Sequence, residues 1–236
     1  MRAYLVDHPE ALTLSIYGSM AREQSRPDSD VDAYLLVNAE KTQNEGDEPT
    51  TRTIDRPFGS PIVRLAEPAE KQYHESIRGA LKTELKLEDN QVEHVRVLPI
   101  SREIVDWSLN NLRTQIQEYK AAREQNERET ENVSQPWKPG EQLGKTDYVN
   151  VRLPMPSRNV TALFHPGVGT GAQEYRDYVL DQLASLGEEG EEMWHWIVEE
   201  VRYWESPKTT EEGGQKFDKT YPQTIAEARA TYASAS

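Results

Sequence analysis

Two short apolar runs near the N-terminus, LTLSIYG at residues 12 to 18 and DVDAYLLV at residues 30 to 37, constrain this chain more than any other feature. The second run opens with two aspartates separated by one valine. Side chains alternate along a strand, so Val31, Ala33 and Leu35 share one face, and Asp30, Asp32 and Tyr34 the other. An unpaired carboxylate in a buried strand is costly. Two of them on one face call for a cation or a chemical purpose. Mg2+ takes one or two carboxylates together with waters and substrate phosphates, which fits such a pair.

The first run ends in Gly18 and Ser19, and the SMAREQS that follows suits a short helix. Gly18 permits a sharp turn. Main-chain N–H groups there, with the Ser19 hydroxyl, suit an anionic phosphate. RPDS, at residues 26 to 29, is turn chemistry that returns the chain into the second strand. Neighbouring strand ends would thus set a phosphate cradle beside a carboxylate pair. Those are the parts that align a nucleoside triphosphate for attack at its α-phosphorus, with metal ions holding the attacking and leaving oxygens.

The stretch YGSMAREQSRPDSDVDAYLLV resembles the motif of the polymerase-β-like nucleotidyltransferases, above all the small bacterial minimal and antibiotic nucleotidyltransferases. The resemblance implies transfer of a nucleoside monophosphate from ATP or another nucleoside triphosphate to a hydroxyl, with pyrophosphate leaving. It implies that Gly18 and Ser19 meet a terminal phosphate and that Asp30 and Asp32 hold Mg2+ or Mn2+. Arg22, one helical turn past Ser19, would also meet phosphate. The family carries a third acid on an adjacent strand, often the general base for the acceptor hydroxyl. VEHVRVLPISREIVDW resembles the matching segment of aminoglycoside adenylyltransferases that act on streptomycin-like drugs, and assigns Glu93 as that catalytic and metal-binding acid. TIAEARATY resembles their last helix. Asp55, in RTIDRPFG, is the alternative, because some antibiotic nucleotidyltransferases place this acid on a nearby hairpin.

The rest of the chain supplies a frame. RTIDRPFGSPIVRLAE reads as a hairpin around Pro57 and Gly59, PAEKQYHESIRGALKTELK as a helix, and QVEHVRVLPI as a third strand. A helix follows, with Ser101 as its N-cap. A charged, Pro- and Gly-bearing linker is expected near 125–147, then an extended YVNVRLPMP. Helices are predicted over 172–186 and 189–204, with a short last one in PQTIAEARATYA. HPGVGTG, at 165 to 171, lacks the Lys-Ser/Thr ending of a phosphate-binding loop and reads as a turn entering a helix. The five histidines show no metal-ligand spacing. Asn159, in NVT, matches a glycosylation pattern that carries little meaning without a secretion signal. The expected fold is α+β: a nucleotidyltransferase-type mixed sheet with helices at 1–105, then a mostly helical acceptor-binding domain at 106–236.

Composition narrows the partners. The 236 residues include no cysteine, which excludes disulfides and thiolate metal sites and fits a reducing compartment. No apolar run approaches the roughly 20 residues of a membrane span, so a cytoplasmic protein without membrane contact is expected. Lys and Arg total 27 against 41 Asp and Glu, a formal charge of -14. Such a charge argues against nucleic acid, whose binding rests on phosphate neutralisation. It favours a small cationic acceptor such as an aminoglycoside, drawn by Glu188, Glu189, Glu191, Glu192, Glu199 and Glu200. The helical half would build the acceptor pocket, alone or across a homodimer. MWHWIVEEVRYW reads most simply as core packing, although tryptophans also stack on sugars and cations. Two rival readings stand beside this one. The acceptor is a protein or a tRNA, met by a basic strip of Arg22, Arg26, Arg52, Arg56 and Arg64; or the chain is a non-catalytic nucleotide binder.

Overall fold

The structure is a computed structural model that describes residues 2–21, 29–40, 51–54, 61–129, 153–205 and 221–233. Its centre is the expected strand pair. Strand β1 (Ala11–Tyr17) runs antiparallel to β2 (Asp32–Asn38), in a register that sets Tyr17 across from Asp32. A helix precedes them (α1, Arg2–Asp7), and the one-turn α2 (Gly18–Ala21) follows β1. The expected hairpin is β3 (Thr51–Ile54) against β4 (Ile62–Leu65), with Arg52 paired to Arg64. The long helix α3 (Glu67–Leu85) leads through a 3-10 turn at Asp89–Val92 into β5 (Val95–Ile100), which lies parallel to β2. The sheet is therefore mixed and the fold α+β.

Alternation along these strands divides the core. Ala33, Leu35 and Val37 of β2 join Val95 and Val97 of β5 on one face, where Ile77 and Leu81 of α3 cover them. Tyr34 and Leu36 join Leu98 and Ile100 on the other face, against the C-terminal half of the chain. That half comprises α4 (Arg102–Glu129), α5 (Arg158–Thr161), α6 (Gln173–Ser185), α7 (Glu188–Glu205) and α8 (Ile225–Ala233). Ser101 caps α4 as expected, its Oγ accepting from the Ile104 N–H at 3.2 Å. In α7, Met193, Trp194, Ile197 and Val201 are buried, so that stretch is core. No helix among the described residues is long and apolar enough to cross a membrane.

The two halves are tied more closely than a linker would suggest. Helix α4 runs without a break across the expected boundary at 105/106, and most of the expected linker lies outside the described residues. HPGVGTG does more than turn into a helix. Gly167–Val168 forms β6, the edge strand beside β1, giving the order β5-β2-β1-β6. A Cβ on Gly167 would stand 2.6 Å from the Leu14 carbonyl oxygen, and one on Gly169 2.8 Å from that of Leu12. Only glycine lets this segment lie so close to β1. Asn159, wholly buried, stitches the hairpin to the sheet. Its Oδ1 accepts from the Val63 N–H, and its Nδ2 donates to the carbonyls of Val63 and Pro99 at 2.9 and 2.7 Å. In the predicted extended stretch, residues 153–156 have no regular structure, and its earlier part lies outside the described residues.

Candidate functional site at the end of the central strands

The C-terminal end of β1 and the N-terminal ends of β2 and β5 meet at one end of the sheet. Gly18 leaves β1 with a φ of 72°, a left-handed conformation that glycine adopts freely. The turn has a second reason to be glycine. A Cβ there would stand 2.0 Å from Oδ2 of Asp32. The Asp32 carboxylate thus lies directly against the Gly18 backbone. Ser19 is half-buried in the same turn, which packs against α7. Asp30 projects just before β2, and its Oδ2 is 3.4 Å from Nε2 of His94. Both of those side chains are about half exposed, at 44% and 49%. Of the expected set, Gly18 and Asp32 are in contact, Ser19 follows in the same turn, and Asp30 stands two residues before Asp32 with His94 as its neighbour; Arg22 lies outside the described residues.

Glu93 stands differently from its sequence-based expectation. It was expected to open the third strand, but that strand begins at Val95, and Glu93 has the helical dihedrals φ -66° and ψ -29° that close the 3-10 turn. It is exposed, and its main-chain carbonyl accepts from Nη2 of Arg78 at 2.9 Å. Among the described residues no cluster of three acids or histidines is assembled that would hold a metal by itself. The two aspartates are the carboxylate donors held at this end of β2, a set that suits Mg2+ only when substrate phosphates and waters complete the shell. The alternative acid, Asp55, lies outside the described residues.

Several neighbours escaped the sequence reading. Tyr17 and Tyr34 stack with centroids 4.2 Å apart, and the Trp204 ring meets Tyr17 edge-on at 5.9 Å. Arg158 places its guanidinium 5.5 Å from the Trp204 ring. Burial chiefly raises the Tyr17 pKa, with the Asp32 charge adding to it, while Arg96 and Arg158 pull the other way. Burial likewise raises Tyr34. Arg96 of β5 is the register partner of Tyr34 on β2. The signal for Arg96 was its place in RVLPI, two residues before Leu98 on the same face; that for Arg158 exists only in the tertiary packing.

A broad cleft of about 490 Å3 opens beside this end of the sheet, between α3, the hairpin and the start of β5. Arg52 and Arg64 of the expected basic strip line it, together with Arg78, Arg96 and Glu93. Arg26 and Arg56 lie outside the described residues. The acidic run of α7, by contrast, is engaged within the fold. Glu189 takes two bonds from Arg113 of α4, and Glu192 pairs with Lys120, one heptad further along α4, at 2.5 Å. Glu191 accepts from the Ile225 N–H at the start of α8, and the buried Glu199 pairs with Arg202.

Comparison of the chain with models of protein families, with curated proteins and with solved structures found no match.

Proposed function

We propose that the chain is a divalent-metal-dependent nucleotidyltransferase that moves a nucleoside monophosphate from a nucleoside triphosphate to a hydroxyl acceptor. The observation that carries this reading is the seating of the Asp32 carboxylate against the Gly18 backbone, with Asp30 at the head of the same strand. A triphosphate held by the Gly18–Ser19 turn would have its phosphates beside two carboxylates that repel it unless a cation intervenes. Bound between them, Mg2+ would supply positive charge to the phosphate oxygens and to the pyrophosphate leaving group.

The chain's own groups take the remaining roles. The Ser19 hydroxyl donates to a phosphate oxygen. Glu93, exposed at the close of the 3-10 turn before β5, takes the proton from the acceptor hydroxyl as general base instead of serving as a metal ligand. The acceptor oxygen forms a bond to the α-phosphorus as the bond to pyrophosphate breaks. The stacked Tyr17 and Tyr34 rings, buried in the core with Trp204 edge-on to Tyr17, back the site toward the C-terminal half.

The test is incubation with α-labelled and γ-labelled triphosphates and a panel of hydroxyl acceptors in Mg2+. Label from the α position should appear on an acceptor, with pyrophosphate released. Hydrolysis to the diphosphate alone, or no metal-dependent triphosphate binding, would overturn the assignment.

A further inference from the structure

The cleft beside β5 has a character opposite to that of the chain. Against a formal charge of -14, its lining sets five permanent cations against three carboxylates. Arg52 and Arg64 come from facing positions of the hairpin, Lys71 and Arg78 from α3, and Arg96 from β5. Like charges gathered this way repel one another, so the fold carries a cost here that an anion would relieve.

The carboxylates present do not neutralise the cluster. Glu70 is buried and pairs with Arg64, with Arg52 at a loose 3.9 Å. Glu93 meets Arg78 through its main-chain oxygen only among the described contacts. Four polar atoms of the lining are shut off from solvent without a hydrogen-bond partner among the described residues: the acceptor Oε2 of Glu70 and three nitrogens, Nε of Arg78, Nε of Arg96 and Nδ1 of His74. Buried polar atoms are nearly always paired, so three such nitrogens in one wall mark a place where a ligand's oxygens belong. His74 adds a sensor to it: burial, and next the Arg78 charge, hold its pKa below the ordinary histidine value.

We propose that this cleft binds the phosphate group of a small molecule and that, on the nucleotidyl-transfer reading above, this molecule is the hydroxyl acceptor. Its volume is that of a nucleotide-sized ligand. The net acidity of the chain, a formal charge of -14, disfavours an extended polyanion. Glu93 lies at the rim, and its neighbour His94 contacts Asp30, so an acceptor anchored here by phosphate presents its hydroxyl toward the carboxylate pair. The acceptor is then anionic, where the net charge alone suggested a cation.

Tripolyphosphate and inorganic phosphate, titrated in EDTA so that no metal bridges them to Asp30 and Asp32, test the site. Both should bind, and tripolyphosphate should raise the melting temperature. The double variant R52Q/K71Q alters side chains that are 51% and 77% exposed, so the fold should persist by circular dichroism. It should weaken tripolyphosphate at least tenfold, as should R78Q, while D32N in EDTA binds as well as the native chain. Phosphorylated acceptors should be labelled in preference to aminoglycosides, with a KM that rises in R52Q/K71Q. No binding in EDTA, or binding indifferent to these substitutions, would refute the site. Weakened Mg-ATP binding in R52Q/K71Q would overturn the acceptor assignment, since the cleft would then hold the triphosphate tail. Metal-free phosphate binding without turnover on any acceptor would uphold the cleft and sink the transferase reading.

Discussion

Oδ2 of Asp32 fills the space in which a β-carbon on Gly18 would stand, so the two positions are mutually exclusive for any residue but glycine at 18. Gly18→Ala should therefore do two things at once. The left-handed φ costs a non-glycine residue about 1–3 kcal/mol, and the new methyl displaces the carboxylate. The melting temperature should fall while the far-ultraviolet spectrum stays native. Metal-dependent triphosphate binding, measured by calorimetry, should be lost more completely than the modest destabilisation explains. A Gly18→Ala variant with native triphosphate affinity would show that the Asp32 position is irrelevant to binding.

Asp32→Asn should abolish nucleotide transfer without unfolding the chain. Removing one of two like charges from the end of β2 relieves repulsion, so the melting temperature should hold or rise. The Tyr17 phenol, raised in part by Asp32, should titrate at lower pH in this variant, which difference spectroscopy can follow. Native turnover in Asp32→Asn would rule out the transferase chemistry.

Glu93→Gln separates a general base from a metal ligand. A positioned base contributes about 10²–10⁴-fold. Turnover should drop on that scale while Mg-ATP affinity stays within about twofold. Equal losses of affinity and turnover would return Glu93 to the metal shell, and an unaffected enzyme would leave Asp55 as the base.

Glu205 is wholly buried. It accepts from the Tyr221 hydroxyl at 3.0 Å and lies 2.9 Å from Nδ1 of the equally buried His165. Glu205→Ala should cost about 3–5 kcal/mol, the scale of a broken buried pair. Asp181→Ala, which removes an exposed pair with Arg229, should cost about 0–1 kcal/mol. Denaturant unfolding of the two variants gives the comparison.

His74, with its pKa depressed in the fold by burial first and then by Arg78, takes up a proton more readily when unfolded. Folding stability should thus decline as pH falls through the ordinary histidine range near 6.5. Arg64 also opposes the proton, while Glu70 favours it. His74→Gln should flatten that decline between pH 7.5 and 5.5. An identical slope in both proteins would show that His74 does not govern it.

Much of the frame was legible because its signals are local. Alternation in DVDAYLLV placed the faces of β2, and helical spacing placed α3, α6 and α7 to within a residue or two, while α4 runs five residues into the stretch expected as linker. Ser101 announced its own cap. What escaped depends on partners far along the chain. Glu188 to Glu192 read as a field over the surface because nothing local shows that Arg113 and Lys120 lie opposite. Glu93 read as a strand residue because VEHVRV alternates, yet the 3-10 turn at Asp89–Val92 delays the strand to Val95. HPGVGTG read as a turn entering a helix, because nothing local shows that Gly167 and Gly169 lie against the backbone of β1. The cleft joins a hairpin, a helix and a strand, and no spacing of Arg52, Arg64, Arg78 and Arg96 announces it.

The placing of β6 bears on how the chain is made. Thr13 of β1 donates its hydroxyl to the carbonyl of Val168, 155 residues later. At roughly 5–20 residues per second, a ribosome takes about 10–30 seconds to deliver that partner. Until then β1 is an open edge of the nascent β1–β2–β5 sheet, and the sheet's Tyr34–Leu36–Leu98 face lacks the helices that cover it. The first half of the molecule must wait, half-dressed, for the second to cover an edge that could otherwise pair with another chain.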